Sequence, residues 1–173
     1  MKKQVIFVIL AAFLIAGMVS AAEKSAILED NKESIEKLLA IDATGLTDQQ
    51  IIDAQKQQII DNLDKIKDAY NQNPPNLPSM AISMFSDATI NIDMGGKDLS
   101  VVMKDAKIES ISQGKNDKAG LQVIIKDKVF EEQNKGTFDP KTALKNKDIT
   151  FSGIGFFNKI KFGSLGLIVK MIL

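Results

Sequence analysis

Leu121-Gln122-Val123-Ile124-Ile125-Lys126, followed by Asp127-Lys128-Val129-Phe130-Glu131-Glu132-Gln133-Asn134-Lys135-Gly136, is the stretch on which the fold turns. In the first six residues Leu121, Val123 and Ile125 share one side of an extended chain, the period of a half-buried strand, and Ile124 adds apolar character to the other side. The next run is short and amphipathic, is entered directly from the strand, and is closed by Gly136, so it reads as a helix. Phe138-Asp139-Pro140 follows, then a second short helical run to Asn146, then Asp148-Ile149-Thr150-Phe151-Ser152 as a strand ended by Gly153.

The strand pattern extends upstream. Ala88, Ile90, Ile92 and Met94 alternate with polar residues, and Gly95-Gly96 marks a hairpin because both residues tolerate positive φ. Leu99, Val101 and Met103 carry the apolar face onto the return strand. Lys104-Asp105 turns again, and residues 107–113 read as a third strand. There Ile108 and Ile111 are out of phase for a period of two, which predicts a bulge or register change. Residues 114–120 form a polar turn before the strand at Leu121. The expected class is α+β: a meander forming a five-stranded, mainly antiparallel sheet, polar on one side and covered on one face by helices.

Residues 23–70 read as a helical lead-in. Leu28, Ile35, Leu38 and Leu39 share one face of a first segment, and Thr44-Gly45 breaks it. Thr47 with Gln50 three residues on is a capping box, opening a helix whose stripe is Ile52, Ile59, Leu63, Ile66 and Tyr70. Asp61, Asp64 and Asp68, interleaved with Lys65 and Lys67, suit a solvated face better than a metal site. Asn73-Pro74-Pro75 stops the helix, since proline lacks an N–H and forces its predecessor into an extended form. Residues 71–78 are a connector, and residues 80–85 a short apolar helical turn.

The chain begins with Met1-Lys2-Lys3, an apolar run from Val5 to Met18 and the small residues Ser20-Ala21-Ala22 before Glu23. That is the layout of a cleavable export signal. An uncleaved anchor is the alternative, because the run approaches the ~17–25 residues that span a bilayer. Either way the domain is expected outside the cytoplasmic membrane, secreted or tethered. The organisation is then a leader or anchor over 1–22, a helical lead-in and connector over 23–78, and a compact domain over 79–173.

Composition excludes much chemistry. Among 173 residues there is no cysteine and no histidine, which removes disulfides, thiolate nucleophiles, a Ser-His-Asp triad and an ordinary zinc site. The formal net charge is +0, every basic residue is lysine, and there is one tyrosine and no tryptophan. Nucleic acid is therefore not an expected partner. A carboxylate enzyme would need a pair such as Glu131 and Asp139, and a helix face and a turn explain both. No catalytic residue, metal or cofactor is expected. Gly153-Ile154-Gly155 lacks the third glycine of a dinucleotide loop, with Asn158 in its place, and no βαβ unit follows.

The remaining signal is apolar excess. Phe156, Phe157, Ile160, Phe162, Leu165, Leu167 and Ile168 crowd a tail whose last nine residues are apolar nearly all round. Such a segment is buried on most sides, faces a ligand, or touches lipid. Gly163 and Gly166 weaken a helix there by about 1 kcal/mol each relative to alanine.

The order of these elements resembles the sterol carrier protein type-two family: a three-strand antiparallel meander and a fourth strand leading straight into a short helix ending in glycine. A hydrophobic-Asp-Pro step, another short helix, a strand ending in glycine and a C-terminal amphipathic helix follow. The likeness covers residues 88–173, and the helix from Asp48 fills the place of the family's first helix. Asn146-Lys147 departs from the family's usual Gly-Lys, and an exported chain departs from the family's usual intracellular setting. The resemblance implies an apolar tunnel between the sheet and the C-terminal helix, holding a fatty acyl chain, sterol or similar lipid without catalysis. Its lining would draw on Phe130, Phe138, Phe151, Phe156, Phe157, Ile160, Phe162 and Ile168, each of which ordinary core packing explains as well. A membrane surface is the expected second partner. The alternative is a scaffold domain docking on a membrane or partner through its apolar C-terminal segment.

Overall fold

The computed structural model describes residues 44–72 and 85–163. The expectations for the leader over 1–22, the first helical segment, most of the connector and apolar turn, and the tail beyond Gly163 lie outside the described residues.

Thr47 opens helix α1 (Asp48–Asp61) through both halves of the capping box: the Gln50 N–H donates to Thr47 Oγ1 at 3.3 Å, and the Thr47 N–H donates to Gln50 Oε1 at 2.9 Å. The continuous stripe expected to Tyr70 is divided at Asn62, where φ is −121° and the side-chain amide donates back to the Gln58 carbonyl at 2.8 Å. Helix α2 (Leu63–Gln72) resumes beyond it. Ile52, Ile59, Ile66 and Tyr70 are buried, while Asp61, Asp64 and Asp68 face solvent. These helices share one apolar cluster with the sheet.

The sheet comprises β1 (Thr89–Asp93), β2 (Asp98–Lys104), β3 (Lys107–Gln113), β4 (Leu121–Ile125) and β5 (Ile149–Gly153), in the order β3-β2-β1-β4-β5. The expected meander holds for β1 to β3. It fails at β4, which pairs parallel to β1, with Ile90 beside Leu121 and Ile92 beside Val123. The sheet is therefore mixed. Side-chain alternation is the same in either strand direction, so the pattern alone does not reveal the change. What makes it possible is the segment 114–120, which carries the chain from β3 to β4 past the sheet's polar face. There the Asn91 side chain donates to the Asn116 carbonyl at 3.1 Å and accepts from the Asn116 N–H at 2.9 Å. Asn91 and Ser100 are buried as a result, and Ser100 bonds the Ser112 hydroxyl at 2.8 Å.

The expected bulge is present in β3. Val102 lies beside Ser110 and Met103 beside Ile108, so Glu109 is the extra residue. The insertion returns Ile108 and Ile111 to the same face, opposite Met103 and Val101. Asn71 at the end of α2 serves the backbone beside the bulge: its side chain donates to the Ile108 carbonyl and accepts from the Ile108 N–H, both at 2.8 Å.

Ile90, Ile92, Leu99, Val101, Leu121, Val123 and Ile125 form an inner face no more than 3% exposed. Helix α2 lies along β3 at one margin, α3 (Asp127–Asn134) rests against α1, α4 (Pro140–Lys145) meets β5, and α5 (Phe156–Gly163) lies along β5 at the other margin. Asp139 caps α4 by accepting from the Thr142 N–H at 2.8 Å, with Pro140 where a missing N–H costs nothing.

Candidate ligand-binding site

The inner face is apolar because its strands alternate, and α5 is set against it by a tight joint. Gly153 ends β5, and a Cβ there would overlap the Asn158 backbone, so α5 approaches the strand as only glycine permits. The Ile154 N–H donates to the Gly120 carbonyl at 2.8 Å, tying this joint to the start of β4. At the far end of the helix the Phe162 ring lies 6.0 Å from that of Phe85, and both are buried. At the near end Phe156 is 72% exposed, with Ile154 half-exposed two residues before it.

Among the eight residues named from sequence, Phe130 and Phe162 belong to the buried cluster, and Phe138 and Phe151 pack against it. Phe151 shares the inner face with Val123, its partner across β4 and β5. Phe156 is exposed at the surface. Phe157 and Ile160 fall on the α5 backbone, and Ile168 lies outside the described residues.

Sequence reading missed the polar groups that sit inside this apolar frame. Lys56 is 1% exposed; its Nζ donates to Asp127 Oδ1 at 2.6 Å and to the Gly95 carbonyl at 3.0 Å, and lies 5.6 Å from the centre of the Phe130 ring. One lysine thereby ties α1, the β1–β2 hairpin and the first turn of α3. Gly95, at φ +69°, leaves room for it: a Cβ would come within 2.8 Å of the Asp127 carboxylate. Beside it, the amides of Gln55 and Asn134 bond each other in both directions. Gln133 is also buried, and neither end of its side-chain amide has a hydrogen-bond partner among the described residues. Spacing was the available signal. Gln55 and Lys56 follow Ile52 by three and four residues, and Gln133 follows Phe130 and Val129 likewise.

The charged groups near the sheet's lower end are structural. Asp148 is buried beside Lys126 at 3.3 Å and Lys128 at 3.1 Å. Burial opposes its ionisation, but the hydrogen bonds and charges of Lys128 and Lys126 together outweigh that, holding the carboxyl below its ordinary value. The hydrogen bond to Asp148 in turn raises Lys128. Asp139 is held low by its bonds to Thr142, and burial raises Tyr70. Of the carboxylate pair considered from sequence, Glu131 pairs with Lys135 at 3.8 Å and Asp139 caps α4, so each has a local role. Among the described residues no helix is long and apolar enough to cross a membrane.

No protein-family model matches the chain, and no curated protein matches it. Solved structures do show likeness. A protein described as a UbiJ-SCP2 ubiquinone synthesis protein is 12% identical, over 67% of this chain and 94% of its own, with a TM-score of 0.38. Sterol carrier protein 2 like 2 from Aedes aegypti is 17% identical over 68% and 96%, with a TM-score of 0.37. The sec-alkylsulfatase Pisa1 from Pseudomonas sp. is 14% identical over 90% of this chain but 31% of its own, with a TM-score of 0.31. Two of these three bear the name of the family that the order of elements resembles. With TM-scores below 0.5, none carries a functional assignment.

Proposed function

We propose that the chain is an exported, non-catalytic lipid-binding module that holds a fatty acyl chain, sterol or similar apolar ligand between the inner face of the sheet and the C-terminal helical segment. The observation that supports it best is the mounting of α5. Its far end rests on Phe85 through Phe162, its near end leaves Phe156 largely in solvent, and its apolar residues exceed what closing the edge of a small sheet requires. The order of elements that resembles the sterol carrier family points the same way. Energetics permit it: each buried methylene of a ligand contributes ~0.8 kcal/mol, so a long chain binds usefully with few polar contacts. A membrane is the source and sink of such a ligand, and export follows from the leader at residues 1–22.

Native mass spectrometry of the purified chain tests this reading, with a co-purified lipid as the expected result, together with titration by a fluorescent fatty acid. If Ile160 faces the ligand, Ile160→Asp should abolish the titration while costing less stability than a charge in packed core, because a ligand cavity can admit water. Absence of lipid and of titration in the parent would overturn the proposal. The second reading, docking on a membrane through the apolar C-terminal segment, is favoured by the exposure of Phe156 and Ile154. Flotation with lipid vesicles and no retained lipid would establish it instead. Intact-mass measurement of exported protein, beginning near Ala22 or Glu23, checks the leader.

A further inference from the structure

At about 100° per residue along α3, Gln133 falls between Val129 and Phe130, in the middle of the helix's buried face rather than at its border. Both neighbours are fully buried, and Gln133 is 2% exposed. Other side-chain amides of the domain behave differently. Gln55 and Asn134 satisfy each other across the α1–α3 seam, and Asn71 and Asn91 each satisfy a backbone N–H and C=O. Gln133 has neither donor nor acceptor satisfied among the described residues. Burying such a group without a partner is costly, and native interiors seldom do so.

We infer that the Gln133 amide is the polar anchor of the ligand site, receiving a neutral hydrogen-bonding end group such as a hydroxyl or ester carbonyl. This rests on the lipid-binding reading above and narrows it. The amide supplies one donating and one accepting edge, which a hydroxyl can use together. An ionised carboxylate suits it less: it would bring an uncompensated charge into apolar surroundings, and the buried cation of the neighbourhood, Lys56, is already held by Asp127 and Gly95.

The test compares dodecanol, dodecane and dodecanoate as competitors of an apolar fluorescent probe, on the full chain and on Gln133→Leu and Gln133→Met. The ratio between ligands, taken in parent and variant, cancels their differing solubilities. The expected result is that the preference for dodecanol over dodecane falls by roughly 3- to 10-fold in both variants, the range for one or two hydrogen bonds, while dodecane binds as before and dodecanoate is the weakest competitor of the parent relative to dodecanol. An unchanged dodecanol preference would overturn the anchor and leave the lipid-binding reading standing. Failure of the parent to bind all three would overturn both. Loss of folding in both variants would assign the amide to the fold and also overturn the anchor.

Discussion

The inner face of the sheet is covered from its two margins by opposite means. One cover is α1 with α2, the latter along β3, locked to the rest by directed bonds: Lys56 to Asp127 and Gly95, Gln55 to Asn134, Asn71 to Ile108. On the β5 side the cover is α5, held by a glycine-permitted joint, the single Ile154-to-Gly120 backbone bond at that joint and a ring contact. Directed bonds have one good geometry, and apolar contacts have many of nearly equal energy. The first cover is therefore tied by directed bonds at several points, and α5 by fewer.

Ile92 lies beneath the sheet's centre at 1% exposure and sets the scale for breaking both covers at once. Ile92→Asp should abolish cooperative unfolding altogether, seen as loss of the thermal transition by circular dichroism, because an isolated buried carboxylate exceeds the whole stability of a small domain. Next in size is the lock on α1. Asp127→Ala strands the Lys56 ammonium and should cost about 2–3 kcal/mol in urea unfolding, whereas Lys56→Met, which removes the charge and keeps the length, should cost less. If the two variants are equally damaging, the lysine's packing rather than its bonds holds α1.

Gly153→Ala probes the other cover. The added methyl meets the Asn158 backbone, so α5 must shift, at a cost of about 1–3 kcal/mol. Hydrogen exchange should then accelerate in α5 and stay unchanged in α1. Equal acceleration in both helices would show that the covers act as one unit. The smallest effect concerns pH. Asp148 is held below its ordinary value when folded, so its contribution to stability is present above the ordinary carboxylate range and is lost as the pH falls through the folded value. Asp148→Asn should flatten the acid limb of the stability curve and leave its slope near neutrality unchanged.

Local geometry was legible in the sequence wherever one residue type has one physical use. The capping box at Thr47 and Gln50, the hairpin at Gly95-Gly96, the bulge between Ile108 and Ile111 and the Asp139-Pro140 helix start all stand where the residues indicated. Strand direction was not legible, because Leu121, Val123 and Ile125 would bury the same face whether β4 ran with β1 or against it. The buried Lys56, Gln55 and Gln133 were hidden for another reason. Their positions satisfy the helical period, but reading by hydrophobicity assigns such residues to solvent. Of the aromatic set, Phe130, Phe138, Phe151 and Phe162 converge on one cluster and Phe156 does not, since a helix's first turn at a sheet margin has only one side to bury.

Sheets grow at their margins, and a bare outer strand invites a strand from another molecule. Here β3 is an outer strand, and Asn71 occupies both the N–H and the C=O of Ile108, beside a bulge that bends the strand away from flatness. At the opposite margin α5 lies along β5. An arriving strand therefore finds the start of the β3 margin already paired and the other margin bordered by a helix. The asparagine at the end of α2 thus acts as a guard against fibre growth as well as a clasp between two elements. Its removal would be felt first in shelf life at high concentration, well before any loss of helix.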